Sequence, residues 1–430
     1  MAITGRAAAV ALAGVLVVLT VRSWLTVLVV AAVLLAGIAA DLLLAAAIGP
    51  LVMTRSGDTR VRLGETATVT LAITNRGSRT LRAVIRDAWP PSAGAAPRRT
   101  SATIPGRGQA SVTTNIRPTR RGDRTAASVT VRSHGPLGLA ARQGKRTVPW
   151  TVRALPPFRS RRHLPEKLAR LRELDGMHRS LVRGQGSEFD SLREYVPGDD
   201  VRSIDWRGTA RHHDVLVRTW RPERDRRILV VLDTGRTAAG RVGDAPRLDS
   251  SMDAALLLTA LAARAGDRID LIAFDRRIRA RVLAAPRTDV LRAFTNAMAP
   301  LEAELIESDS GAMASAVMTL ARRRCLVVLL TDLNPAALAE GLLPHLPVLA
   351  SRHVLLLGAV ADPRLDELAG GRGAAAAVYA AAAAERARAE RARMAAQLRQ
   401  RGVTVVDTSP ERLPPALADA YLDLKAAGRL

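Results

Sequence analysis

Residues 183–211, RGQGSEFDSLREYVPGDDVRSIDWRGTAR, concentrate most of the chemistry this sequence offers. The acids Glu188, Asp190, Glu194, Asp199, Asp200 and Asp205 stand there among Arg193, Arg202, Arg207 and Arg211. Paired carboxylates do acid–base work only when their surroundings push their pKa values apart. Alternating with arginines, they can instead form charge-assisted bonds that hold an irregular segment in place. We read the stretch as such a network, tying it onto the domain that follows with Phe189 and Trp206 as apolar anchors. A partner-binding surface and a hydrolase or transferase site are the alternatives. Gly184-x-Gly186 lacks the third glycine and following helix of a dinucleotide fingerprint. His212-His213-Asp214 holds metal-ligand atoms, yet adjacent histidines diverge on regular backbone, and no Cys or Glu stands at zinc spacing. Ser203, Asp205 and His212 supply triad atoms without a nucleophile elbow. The single cysteine, Cys325, excludes an internal disulfide and reads as a small buried hydrophobe.

The text after residue 223 alternates apolar strands with helices. Residues 227–232 form a buried strand ending at Asp233, 248–265 an amphipathic helix and 269–274 a second strand. Residues 326–330 run into Thr331 and Asp332, 354–357 into Gly358 and 403–406 into Asp407. Continuous apolar strands separated by helices predict a parallel sheet covered on both faces. Ligands of such sheets sit at the carboxyl ends of the strands, where Asp233 and Asp332 fall. Residues 374–401, Ala runs followed by ERARAERAR, predict one long helix whose charges form a solvated face. Upstream, alternation in 66–74, 110–116 and 128–132 with Gly and Pro punctuation predicts a small antiparallel β-sandwich over 57–156. A basic, helix-compatible connector follows at 159–181.

Two apolar runs, 7–20 and 25–40, open the chain, with Arg22 and Trp24 between them. They predict a transmembrane hairpin over 1–50, although the first run is short for a span. A cleaved signal peptide is the alternative reading of that run. Arg6, Arg55, Arg60 and Arg62 outnumber Arg22, which places both ends in the cytoplasm. The 430 residues suit two or three domains. A formal charge of +24 invites a nucleic-acid or anionic-lipid reading. Of 64 basic residues only 3 are Lys, however, and the arginines are spread rather than clustered. The aromatics that single-strand binders stack bases on amount to 3% of the chain, so no nucleic-acid partner is expected.

The motif in 183–211 resembles the signature of the bacterial family called domain of unknown function fifty-eight. The matching positions are Gly184, Gly186, Glu188, Phe189, Arg193, Glu194, Tyr195, Gly198, Asp199, Asp200, Arg202, Ile204, Asp205, Trp206, Ala210 and Arg211. The ending Tyr421-Leu422-Asp423-Leu424-Lys425 is similar to that family's usual end. The resemblance implies a membrane hairpin, a β-rich domain, a connector and signature over 157–226, and a von Willebrand factor A-like doubly wound α/β domain over 227–430. It implies no reaction, so the chain is expected to bind rather than catalyse. It also implies association with AAA+ ATPases of the MoxR type in assembling or remodelling other complexes.

Domains of the von Willebrand type commonly hold Mg²⁺ through Asp-x-Ser-x-Ser, a Thr and a second Asp, an oxygen cage suited to a hard cation. Here Asp233-Thr234-Gly235-Arg236-Thr237 lacks the first Ser and adds a cation. Thr237, Ser308 and Asp332 can fill the remaining positions. We expect a degenerate site without metal, with Mg²⁺ as the alternative. Its acids can otherwise cap helices or pair with Arg236.

Overall fold

The computed structural model describes residues 1–181, 188–211, 214–221 and 226–430. Its contacts divide into two units, Met1–Pro157 and Phe158–Leu430.

The first unit opens with two apolar helices, α1 (Gly5–Val21) and α2 (Trp24–Leu44). Arg22 closes α1 in the left-handed conformation, at φ 51°, and donates its N–H to Val18 O. Among the described residues only α2 is long and apolar enough to cross a membrane, with mean hydropathy 2.7; α1 is shorter. Asp41, on the last turn of α2, is fully buried and accepts backbone N–H groups of Leu137, Leu139 and Ala140 at 2.5–3.0 Å. A buried carboxylate is tolerable when several donors satisfy it, and here those donors fix the helix end to a loop of the β-rich region.

That region builds two antiparallel sheets from β1 (Leu51–Gly57), β2 (Ala67–Asn75), β3 (Leu81–Ala88), β4 (Thr100–Ile104), β5 (Gln109–Ile116), β6 (Ser128–His134) and β7 (Ala140–Arg146). One sheet runs β1-β2-β5 and ends on Ala95–Ala96; the other runs from Ala2–Ile3 through β7-β6-β3 to β4. Period-two alternation buries Leu71 and Ile73 of β2 against Leu81, Ile85 and Val131 of the facing sheet.

The second unit begins with α3 (Leu164–Leu181), which Lys167 and Arg170 tie to Asp419. A two-stranded hairpin follows, β8 (Glu188–Glu194) and β9 (Leu216–Arg221). The main sheet comprises β10 (Arg227–Asp233), β11 (Arg268–Phe274), β12 (Ile278–Val282), β13 (Leu326–Leu330), β14 (Val354–Val360) and β15 (Thr404–Thr408). Its order is β12-β11-β10-β13-β14-β15, parallel except for edge strand β12.

Helix α4 (Arg247–Arg264) and α8 (Leu413–Ala426) cover one face. Tyr421 and Lys425 of α8 meet the buried carboxylate of Asp267, which leads into β11, so part of the closing motif is core polar chemistry. The other face packs against α5 (Ser310–Leu320), α6 (Leu346–Arg352) and the long α7 (Ala375–Gln400). The strand order reverses at β10 and β13, which puts a crevice at their carboxyl ends.

Candidate functional site

Asp233 ends β10, and the backbone around it is held from two sides. Thr234 N–H bonds Phe274 O on β11, while Arg236 N–H bonds Ile306 O and Glu304 N–H bonds Thr234 O, at 2.7–2.9 Å. The second loop therefore carries Ser308 over the first. Four donors converge on the Asp233 carboxylate: Gly235 N–H at 2.9 Å and Ser308 Oγ at 2.6 Å on Oδ1, Thr237 Oγ1 at 3.0 Å and Thr331 Oγ1 at 2.6 Å on Oδ2. Two loops and the helical turn Arg236–Ala239 thus each contribute a hydroxyl.

Gly235 accounts for the arrangement. A Cβ there would lie 2.2 Å from Ser308 Oγ and 2.9 Å from Ile306 O, so no larger residue fits without displacing the loop. The sequence counts Gly235 as a lost donor; in space the Ser308 hydroxyl occupies that volume. Thr331, beside Asp332 at the end of β13, escaped the sequence reading although its position after an apolar strand was visible.

Asp332 has a different environment. Arg391 Nη1 of α7 donates to it at 2.7 Å, and Arg247 Nη1 lies 3.5 Å away. Arg391 also makes bidentate bonds to Asp407 at 2.8 Å and donates to Val360 O at 3.0 Å. Burial pulls the Arg391 pKa down, but Asp407 and Asp332 outweigh it and the net shift is upward. Arg391 is 13% exposed, which corrects the expectation that the charges of this helix form a solvated face. Arg386 and Arg388 do face solvent and pair with Glu390 and Glu385. Arg236 is also corrected: its partner is Glu307 at 2.8 Å, not Asp233 or Asp332.

The sequence-predicted Asp233, Thr237, Ser308 and Asp332 all line one cavity of about 310 Å³. Its polar end is the Asp233 cluster. Its apolar part includes Val231, Phe274, Met313, Leu338 and Leu342. Asp309 caps α5 through Ala312 N–H, and a π-helical turn over Leu338–Leu342 also lines the cavity; such turns are frequent at functional sites.

The 188–211 segment lies apart from these bonds. Val196-Pro197-Gly198-Asp199 forms a turn in which Gly198, at φ 111°, takes the position glycine favours. Arg193 pairs with Asp199 at 2.5 Å and Arg218 with Asp205 at 2.9 Å; each arginine holds its carboxyl below the usual range. Asp200 accepts Arg202 N–H, Asp205 accepts Arg207 and Gly208 N–H, and Tyr195 N–H pairs with Val215 O. The side chain of Arg211 is exposed. Two expectations need correction. The ion pairs of Asp199 and Asp205 close within the segment instead of tying it to the sheet, because their arginines stand on the same hairpin and its loop. Trp206 is 69% exposed, so it anchors nothing among the described residues. Gly184, Gly186, His212, His213 and the side chains of Glu188, Phe189 and Asp190 lie outside the described residues.

Cys325 and His353 pair inside the core, with Sγ 3.5 Å from Nδ1. Burial pushes the thiol up to about 11 and the imidazole down, the opposite of an activated thiolate pair.

A family model described as "Protein of unknown function DUF58" matches residues 191–409, half of the chain. Uncharacterized protein Mb1516 of Mycobacterium bovis and uncharacterized protein Rv1480 of Mycobacterium tuberculosis are each 31% identical over 200 residues, 45% of this chain. The matched part spans 61% of the length of each. Among solved structures, the CARDB domain of the PF1109 protein from Pyrococcus furiosus covers 24% of this chain and 91% of its own at 13% identity, with a TM-score of 0.19. A GH20 Exo beta-N-Acetylglucosaminidase from Vibrio harveyi covers 69% of this chain and 60% of its own at 9% identity, with a TM-score of 0.18. Likenesses that low assign no fold. With residues 191–211 of its signature motif and half its length inside the family model, this chain belongs to the DUF58 family.

Proposed function

We propose that this chain is a membrane-anchored binding protein whose cavity beside Asp233 is the recognition site. In this reading α1 and α2 form the anchor, both ends face the cytoplasm, and Phe158–Leu430 contains a von Willebrand factor A-like domain. The strand order and the placing of Asp233 at the strand-order reversal support that name. The partner is a MoxR-type AAA+ ATPase, and the role is assembly or remodelling of other complexes.

One observation carries the reading. Three hydroxyls from three separate segments converge on one carboxylate in the lining of a partly apolar cavity, and a few convergent polar groups in an apolar lining characterise binding sites. We infer that the site works without metal. Mg²⁺ wants near-octahedral oxygens and carboxylate charge. Both oxygens of Asp233 already accept two hydrogen bonds each, and Asp332 is committed to Arg391 and Arg247.

The test uses the full chain in nanodiscs and the MoxR-type ATPase of the same organism, trapped in its ATP state by a hydrolysis-blocking substitution. Co-elution is expected, weakened at least tenfold by Asp233→Asn. Failure of the trapped ATPase to bind the intact chain would refute the partner.

A further inference from the structure

We propose that the cavity takes a primary ammonium on an aliphatic stem, offered by a lysine side chain of a partner protein or by a free alkyl diamine. This rests on the cavity's being the recognition site and names the chemistry it recognises. A carboxylate can only accept hydrogen bonds, so Thr237, Ser308 and Thr331 spend their single hydroxyl protons on Asp233. What these hydroxyls present to the cavity is lone pairs. An end that only accepts selects a ligand that only donates, and an ammonium carries three donors and no acceptor.

Charge selects in the same direction. Of the ionic groups lining the cavity, Arg236 is paired with Glu307, and Asp332 with Arg391 and Arg247. Asp233 is left with hydroxyl and N–H partners alone, and Glu340 stands exposed on the π-helical turn with no cationic partner among the described residues. One carboxylate, Asp233, neutralises one ammonium among the three hydroxyls. A divalent ion there would keep a charge uncompensated unless it also drew in the exposed Glu340, which a monocation does not need. The apolar lining, Met313, Leu338 and Leu342, suits a methylene stem, which buries readily while its charged head stays solvated or paired. Glu340 offers a second charge to a diamine, or to a basic neighbour of a lysine.

The experiment follows the Met313 methyl by NMR in the full chain, methyl-labelled at methionine and held in nanodiscs, with Met313→Leu providing the assignment. n-Butylamine, cadaverine, Nα-acetyl-lysine methylamide, n-butanol and MgCl₂ are titrated separately. Saturable millimolar shifts are expected with the three amines and none with butanol or MgCl₂. Tighter binding of the lysine derivative than of cadaverine assigns the site to a protein side chain, and the reverse to a free diamine. Thr331→Val, which keeps the charge, should weaken amine binding about threefold to tenfold, and Asp233→Asn at least tenfold. Shifts with butanol equal to those with butylamine, displacement of amine by MgCl₂, or no shift with any amine up to about 50 mM overturns the proposal. If Asp233→Asn releases the ATPase while no amine moves Met313, this inference fails and the partner reading stands. If amines bind and the ATPase does not, the converse holds.

Discussion

Removal of Arg391 should damage the second unit through two stranded acids at once. Its guanidinium crosses from α7 to the carboxyl ends of three strands, bonding Asp332 after β13, Val360 at the end of β14 and Asp407 in β15. Arg391→Met preserves much of the stem but strands two acids whose side chains are 8% and 19% exposed. Breaking a buried pair by deleting one partner costs about 3–5 kcal/mol, because the remaining charge is left uncompensated. Arg247 still faces Asp332 at 3.5 Å, so the lower end applies, about 3 kcal/mol. For a domain of 150–250 residues each kcal/mol shifts the midpoint by about 2–4 °C, giving a fall of about 6–12 °C.

Calorimetry on the full chain in nanodiscs would record the shift, and hydrogen exchange would localise it to β14 and β15. Arg391→Lys should recover only part of it, since one ammonium cannot serve two carboxylates and a carbonyl in fork geometry. Replacing all three groups, Arg391→Met with Asp332→Asn and Asp407→Asn, should restore most of the stability, because the loss comes from orphaned charge. A single variant melting within about 1 °C of the parent, or a triple variant no better than the single one, would refute the argument.

Three further outcomes are expected. Gly235→Ser restores the motif's missing hydroxyl but forces its Cβ to 2.2 Å from Ser308 Oγ; it should destabilise by about 1–3 kcal/mol, relieved in the double variant with Ser308→Gly, and an equal melting point would contradict this. Cys325, with its thiol near 11 and its side chain buried, should stay unlabelled by Ellman's reagent at pH 8 until denaturant is added; rapid labelling of the native chain counts against the placement. Burial, then Arg352 and Arg227, hold the His353 pKa below 6.5, so the unfolded chain takes up the proton first as pH falls. Stability present above about 6.5 should therefore decline below it, and His353→Gln should flatten that decline in melts between pH 8 and 5.

The main sheet was legible because its strands are continuous apolar runs, and a buried parallel strand needs no other signal. Asp233 and Asp332 were placed at the rim by the same reasoning, and the alternation of 66–74 marked β2. Hidden from the sequence was everything decided by long-range geometry. Gly235 reads as a defect until Ser308, 73 positions away in the chain, is seen to fill its volume. Arg391 is indistinguishable in ERARAERAR from Arg386 and Arg388; only the turn of the helix facing the sheet decides which arginine is buried. Trp206 misled for the opposite reason. A large aromatic is read as an anchor by default, yet a short segment closed on itself by Asp205 and Arg218 can leave it in solvent.

The two rim acids show why composition says little about a site. Asp233 and Asp332 end neighbouring parallel strands and line one cavity, but one is surrounded by neutral donors and the other by two arginines. Hydrogen bonds from hydroxyls leave a carboxylate its full charge, while an arginine cancels it. Of these two acids only Asp233 therefore presents an effective charge, inside a chain of formal charge +24. Such a chain attracts polyanions over its surface at long range, whereas the cavity selects a cation at contact. A ligand drawn by the surface field alone would lose binding steeply with added salt. One held at Asp233 should lose it weakly, because a half-enclosed pair is screened less, so the salt slope of amine binding separates the site from the surface.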